Sequence, residues 1–290
     1  MIGTELTKDE QILVARAREF GRLARDREYE LHVSRFLTPA EQNMFYVSIV
    51  REDPSLRERI FFWGGAVGAE RRVCVIVPSF ADIPSLPAFE AWRPSFFSRE
   101  RECAFSECAE AYFPDEDFGI VPLEIKGSAY DVLGHRDYMG SVLGLGIERE
   151  MIGDIAVTDD RSAILFASAV AAPYIEGSLT KVRRAAVRVS RAELPADYVI
   201  TKKFEEKLII AASPRIDAVV AGFTGASRAD AKEMCLGGLV DVNYLGEDSP
   251  GRNISEGDTV SVRGYGKFTV QSFAGETRSG RLRLNVKKYV

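Results

Sequence analysis

Over the first 60 or so residues the apolar positions follow a helical period, with Leu13, Ala17, Phe20, Ala24 and Leu31 at near-helical spacing. Thr7 and Glu10 stand three apart, the arrangement of a capping box, and Thr38–Pro39–Ala40–Glu41 opens a second helix with a cap, a first-turn proline and a carboxylate near the helix start. The arginines between them (Arg16, Arg18, Arg22, Arg25, Arg27) are interleaved with acids and read as a solvated, salt-bridged face. The period then changes. Arg72 to Val77 reads as a strand, followed by a connector holding Pro78, Pro84, Pro87 and Pro94. Beyond it come a strand over 118–125, a helix over 136–145, a strand over 154–158, a tight Asp159–Asp160 turn and a strand over 163–167. A helix over 168–182, disturbed at Pro173, and a strand over 186–189 close the set. The order β-α-β-β-α-β predicts a ferredoxin-like, RRM-like sheet within an α+β chain. RNA-recognition domains of that topology stack bases on strand aromatics, and Phe166 is the single aromatic of the 161–167 stretch, so base stacking there is not expected.

The last third packs the most local detail into the fewest residues. Ser213 is placed to cap a helix with Pro214 in its first turn, and Ile216, Val219, Val220 and Phe223 form one apolar stripe. Gly225 breaks the chain, and Ser227 with Asp230 signals a second N-cap. Ala231, Met234 and Cys235 face inward on this second helix, while Arg228 and Lys232, four apart, share a solvated face. Gly237–Gly238 ends it, and the chain turns into an alternating strand. Arginines beside glycines, on short capped helices that run into a tightly turned sheet, suit a module that grips an RNA phosphate backbone.

These residues resemble a known family. Arg215-Ile-Asp217, Ser227-Arg228 with Ala231, Gly238-x-Val240-x-Val242-Asn243 and Gly257-Asp258 through Arg263-Gly264 are similar to the RNA-binding (αL) domain first recognised in small-subunit ribosomal protein S-four. Upstream, Arg35–Phe36–Leu37–Thr38–Pro39, Gly64–Gly65 with Ala69–Glu70–Arg71–Arg72, Gly134–His135–Arg136–Asp137–Tyr138–Met139–Gly140–Ser141, Gly144–Leu145–Gly146–Ile147 and Ile152–Gly153–Asp154–Ile155 resemble YlmH-type proteins. One departure stands out: Tyr244 occupies a place where many such domains have glycine, so the turn after Asn243 is expected to differ. The resemblance implies an N-terminal helical region over 1–66, a central ferredoxin-like RNA-binding domain over 67–200 and a C-terminal αL domain with a basic tail over 201–290. It further implies a bacterial, cytoplasmic protein that binds structured RNA, ribosomal or transfer, on the large ribosomal subunit, its relatives being linked to stalled subunits that still carry peptidyl-tRNA. The RNA-binding residues expected on this basis are Arg215, Ser227, Arg228, Lys232, Asn243, Arg263 and Lys267, with His135, Arg136 and Tyr138 as a second RNA or docking surface.

Charge bears on that expectation. The net charge of −5 looks wrong for a nucleic-acid binder until it is divided, with +3 over residues 201–290 and −8 over residues 1–200. The positive balance concentrates at Arg278, Arg281, Arg283, Lys287 and Lys288. Four cysteines (74, 103, 108 and 235) and two histidines show no zinc spacing and read as reduced thiols, so neither metal nor cofactor is expected. Lys8, Asp9 and Glu10 forbid an apolar signal core, and no apolar run approaches the ~20 residues that span a bilayer. Cytoplasm is the expectation, with no membrane partner and no DNA.

Several motifs resist a catalytic reading. His135–Arg136–Asp137 spells a kinase triplet, but no glycine-rich loop, strand lysine or Asp-Phe-Gly accompanies it. Gly144-x-Gly146 follows a helix and lacks a third glycine, and Asp115–Glu116–Asp117 reads as a solvated loop. A non-enzymatic binding factor is the first reading. The alternative is a pseudouridine synthase or rRNA methyltransferase that uses the αL domain for targeting, against which no glycine-rich cofactor loop follows a strand and the one suitable Arg-x-Asp, at 215–217, belongs to the αL segment.

Overall fold

The computed structural model describes residues 7–80, 118–127, 132–159, 161–195, 198–201 and 204–289. The chain forms two compact units, residues 1–201 and 202–290. Pro84, Pro87 and Pro94 of the connector, Cys103, Cys108, the 115–117 acidic cluster and Asp160 lie outside the described residues.

In the first unit both expected helix starts form by local chemistry. Helix α1 (Lys8–Asp26) opens on a reciprocal box in which the Thr7 hydroxyl accepts the Glu10 N–H and the Glu10 carboxylate accepts the Thr7 N–H at 2.7 Å. Helix α2 (Pro39–Glu52) repeats this with Thr38 and Glu41. The region is not helical throughout, however. Strands β1 (His32–Leu37), β2 (Ile60–Trp63) and β3 (Arg72–Ile76) pair antiparallel in the order β1-β3-β2. Each is too short for a helix; β2 and β3 are rich in β-branched or aromatic residues and are buried on both faces, while β1 is buried only at Phe36 and Leu37. The boundary expected after residue 66 falls between the paired strands β2 and β3, which places both sides of it in one sheet.

The central sheet follows with β4 (Ile120–Gly127), α3 (His135–Leu143), β5 (Ile152–Asp159), β6 (Ser162–Ser168), α4 (Ala172–Ser178), β7 (Lys181–Val182) and β8 (Ala185–Arg191). Its strand order is β5-β6-β4-β8-β7, antiparallel throughout. The helix expected over 168–182 is only α4, because Pro173 sits in the first turn and starts the helix rather than disturbing it.

Period-2 alternation then builds a layered unit. Phe62, Cys74, Ile60 and Ile76 point to α1 and α2, against Ala17, Phe45, Tyr46 and Ile49. Phe36, Phe61, Trp63, Val73 and Val75 point the other way and pack on Ile120, Ala156, Ile164 and Phe166 of the central sheet. That sheet's opposite face, with Leu123, Ile125 and Leu165, is closed by Tyr138 and Val142 of α3 and Ile175 of α4. The two sheets meet closely enough that glycine is required at Gly65 (φ 85°), where a Cβ would lie 2.6 Å from the Phe166 ring. Polar clamps fix the joint. Buried Arg71 donates to the carbonyls of Ile152, Phe36 and Arg149, and Asp154 accepts the backbone N–H groups of Glu70 and Arg71. Burial, reinforced by the Arg71 charge, pushes the Arg149 guanidinium down to about 10.

The second unit runs β9 (Phe204–Ala211), α5 (Ile216–Thr224), α6 (Arg228–Leu236), β10 (Val240–Val242), β11 (Leu245–Gly246), β12 (Thr259–Val262), β13 (Gly266–Glu276) and β14 (Leu282–Tyr289). Its six strands are ordered β11-β10-β12-β13-β14-β9, and two register shifts between β13 and β14 curl the sheet. Ile216, Val219, Val220, Ala231 and Cys235 of the helices pack on Val240, Val260, Phe268, Val270, Leu284 and Val286.

Phe166 joins the two sheets of the first unit, and Phe166→Ala is expected to cost about 3–5 kcal/mol. Thermal melting of the full chain checks this. An unchanged Tm would mean the sheets hold together without their central ring.

Candidate nucleic-acid interface

The geometry around α5 and α6 centres on a carboxylate that the sequence reading did not single out as a site residue. Asp217 is 3% exposed and lies in the first turn of α5. Arg215 holds it through Nε (3.2 Å) and Nη2 (3.1 Å), and Arg228, from the start of α6, holds it through Nε (3.2 Å) and Nη2 (3.5 Å). Two bidentate guanidinium groups therefore share one buried acid and leave a net positive charge on a rigid frame. Burial alone would raise the Asp217 carboxyl, but the hydrogen bonds and charges of Arg215 and Arg228 outweigh it and hold the group below the ordinary carboxylate value. Both arginine side chains remain open to solvent, at 45% and 53% exposure, so each can still offer N–H groups to an anion.

The backbone around them is fixed by neighbouring loops. Helix α5 begins at Ile216 with Arg215 as its N-cap, not at the expected Ser213–Pro214, because the carbonyls of Arg252 and Pro250 take the N–H groups of Ile216 and Asp217. The Ser213 hydroxyl is buried without a hydrogen-bond partner. Gly251 passes against the Arg215 guanidinium, where a Cβ would stand 3.8 Å from it. On α6, Ser227 caps the helix, accepting the Asp230 N–H at 3.1 Å and donating to the Asp230 carboxylate at 2.7 Å. Ser227 is exposed, with its hydroxyl engaged in this cap.

The remaining expected residues divide by burial. Lys232 is exposed on α6. Arg263 is exposed in the turn after β12. Asn243 is buried: its amide donates to Asp258 at 2.7 Å and its carbonyl oxygen accepts the Thr259 N–H at 2.8 Å, so it braces the sheet and does not face a ligand. Asn243 (φ 55°) and Tyr244 (φ 65°) form a two-residue turn between β10 and β11, so Tyr244 adopts a left-handed backbone of the kind glycine takes at little cost. Lys267 lies over the rings of Tyr244 and Tyr289, at 5.4 and 4.7 Å.

The second expected surface comes apart. Tyr138 is fully buried in the helix-face core, its hydroxyl without a partner and its pKa pushed up to about 12 by burial, so it cannot face RNA. His135 and Arg136 are exposed at the start of α3. Loss of solvent around the ring lowers the His135 pKa, opposed by Asp154 and Glu70 and reinforced by Arg149 and Arg136. Phe166, the strand aromatic weighed for base stacking, is sealed under the N-terminal sheet. Among the described residues no group of three His, Cys, Asp or Glu is placed to hold a metal ion, and no helix is long and apolar enough to cross a membrane.

Comparison with known proteins adds to the geometry. Residues 114–196 match the family described as "Putative RNA-binding domain in YlmH". The "Ribosome-associated protein quality control protein P2" of Bacillus subtilis (strain 168) is 25% identical over 283 residues, covering 97% of this chain and 96% of that protein. A solved structure described as "Cell division protein ylmH from Streptococcus pneumoniae" is a more distant likeness, with 16% identity, a TM-score of 0.44, and coverage of 67% of this chain and 96% of that one. The chain is thus similar to YlmH-type proteins along nearly its whole length, and residues 114–196 match the family described by its RNA-binding domain.

Proposed function

We propose that this protein is a non-enzymatic factor that binds structured RNA through an αL-type C-terminal unit, with Arg215 and Arg228 as its central phosphate contacts. The observation that carries this reading is the Arg215–Asp217–Arg228 cluster, two half-exposed guanidinium forks aimed by one buried carboxylate. Orienting an arginine before binding reduces the side-chain freedom lost on contact, which raises affinity without adding a contact. Lys232 and Arg263 extend the charge along the same unit. The target is ribosomal RNA, transfer RNA or both, on the large ribosomal subunit in a cytoplasmic rescue or quality-control step. The similarity to a Bacillus protein named for ribosome-associated quality control supports the ribosomal part of that assignment. The central β4-α3-β5-β6-α4-β8 order with its β5-β6-β4-β8 pairing supports a ferredoxin-like domain whose usual stacking face is occupied by the N-terminal sheet.

A carboxylate substitution gives the sharpest test. Asp217→Asn removes a negative charge from an RNA site, so simple electrostatics expects tighter binding. If Asp217 aims the two arginines, affinity for a structured ribosomal RNA fragment falls instead, by about three- to tenfold. Titration at fixed salt reads the sign directly, and tighter binding by Asp217→Asn would sink the proposal.

Arg228→Ala is expected to weaken RNA binding several-fold and to lower the log–log salt slope by about 0.7–0.9. It should also lower the Tm slightly, since it takes one partner from Asp217. Arg22→Ala, which removes an exposed pair with Glu52, is the control and should leave both the affinity and the salt slope as they were. Equal effects of the two substitutions on RNA affinity would place the interface elsewhere.

Acid should act through the same carboxylate. Because the folded pKa of Asp217 is depressed, its contribution to stability is present above the unfolded value of about 3.9 and is lost as pH falls through the lower folded value. The Tm gap between the wild type and Asp217→Asn should therefore be constant from neutral pH down to about 5 and close only below about 4. A gap that closes near neutral pH would assign the stabilisation to another group.

A further inference from the structure

We propose that the central domain carries its own RNA phosphate-binding edge, formed at one end of its sheet by Lys126, Arg161, Lys181, Arg183, Arg184 and Arg188. This rests on the RNA-binding reading above and names a surface distinct from the Arg215–Arg228 cluster. Both broad faces of the central sheet are closed, one by α3 and α4 and the other, over β4, β5 and β6, by the N-terminal sheet. The exposed end of the sheet remains, and the strand registers bring the cations together there. Lys126, at the end of β4, lies opposite Ser162 on one side and Arg188 on the other. Gly127 donates its N–H to the Arg161 carbonyl at 2.8 Å, which ties the β5–β6 turn to the same end. Val182 pairs with Ala185 across a two-residue turn, so Arg183 and Arg184 form the tip of a hairpin just beyond Val187, the partner of Gly127.

Two features of this end work against stability and need another reason to exist. Lys126 and Arg188 are like charges directly opposite one another on paired strands, an unfavourable arrangement that Glu124, 2.9 Å from Lys126, partly offsets. Arg183 sits at φ 52°, in the left-handed region where glycine or asparagine is the low-cost choice at a hairpin tip. Its guanidinium is 3.6 Å from Asp137 on α3 and otherwise largely exposed. Lys181, Arg184 and Arg188 are exposed and hold no ion pair among the described residues. Among the described residues the acids that touch the cluster are Glu124, Asp137 and Asp159, the last accepting the Arg161 N–H. Residues 177–192 contain five cations and no acid, inside a stretch of chain whose overall balance is negative. Among the described residues, β4, β7 and β8 carry no aromatic platform for bases, so the ligand is the phosphate backbone of a folded RNA and not a stacked single strand.

The test uses the full-length protein with Arg184→Glu/Arg188→Glu, with Arg183→Gly, and with Arg228→Ala for comparison. The probes are a short RNA stem-loop and poly-L-glutamate. Charge reversal should weaken stem-loop binding about tenfold or more and flatten its salt dependence. Arg183→Gly should hold or raise the Tm, since it relieves the left-handed backbone, while still weakening stem-loop binding by a few-fold. A stable Arg183→Gly protein with undiminished affinity, alongside undiminished affinity on charge reversal, would overturn the edge; if Arg228→Ala still weakened binding, the C-terminal reading would stand. Loss of stem-loop affinity in the hairpin variants with none in Arg228→Ala would keep the edge and defeat the C-terminal reading. Direct binding of poly-L-glutamate, lost in the hairpin variants while stem-loop affinity is unchanged, would overturn RNA as the ligand in favour of an acidic protein surface.

Discussion

The sheet-on-sheet packing around Phe166 constrains everything the first unit can do. Phe36, Trp63, Val73 and Val75 from one sheet and Ile120, Ile164 and Phe166 from the other exclude water from the same slab. An aromatic strand face of this topology would elsewhere be available for bases. Here the hydrophobic effect spends that face on stability, since burying one large side chain is worth about 1.5–3 kcal/mol. Arg71 and Asp154 then satisfy backbone groups at the joint, so the two sheets behave as one body. Any nucleic-acid contact by the central domain is pushed to the edges and ends of its sheet.

In the second unit the organising element is polar. Asp217 is buried at the start of a helix and would be costly there alone. Arg215 and Arg228 offset that cost, and in doing so their own rotamers become fixed. The arrangement links stability to recognition: the bonds that keep Asp217 ionised also point the cations outward. Ser227 closes a helix end, and buried Asn243 braces Asp258 and Thr259.

The two proposed surfaces hold their cations in different ways. The C-terminal cluster sets its cations with a carboxylate beneath them, which fixes direction. The hairpin end of the central sheet holds cations close together by strand register alone, with Glu124 and Asp137 as partial counterweights. The first favours geometry and the second favours charge density, the distinction that separates bidentate recognition from general phosphate attraction.

Local signals were legible without coordinates wherever the cause was local. The capping boxes at Thr7 and Thr38, the Ser227 cap, the stripe of Ile216, Val219 and Val220, and the short apolar run of Ala163 to Ala167 each follow from residues within one turn or strand. The sequence also brought Arg215 and Arg228 forward as candidates, because arginine beside a helix start is a short-range pattern. It did not show that both would close on Asp217, 11 residues from Arg228, since that contact depends on how α5 and α6 cross. Nor did it reveal strands at 32–37 and 60–63, where short apolar runs fit either a helix or a strand until a second layer decides. Tyr138 and Asn243 looked like surface polar groups and proved to be interior, because burial is a property of the whole packing. What the chain determined by itself was the inventory of caps, periods and charges. Which faces stayed open was decided only in three dimensions, when two sheets competed with solvent for the same apolar surface and left the cations at the margins.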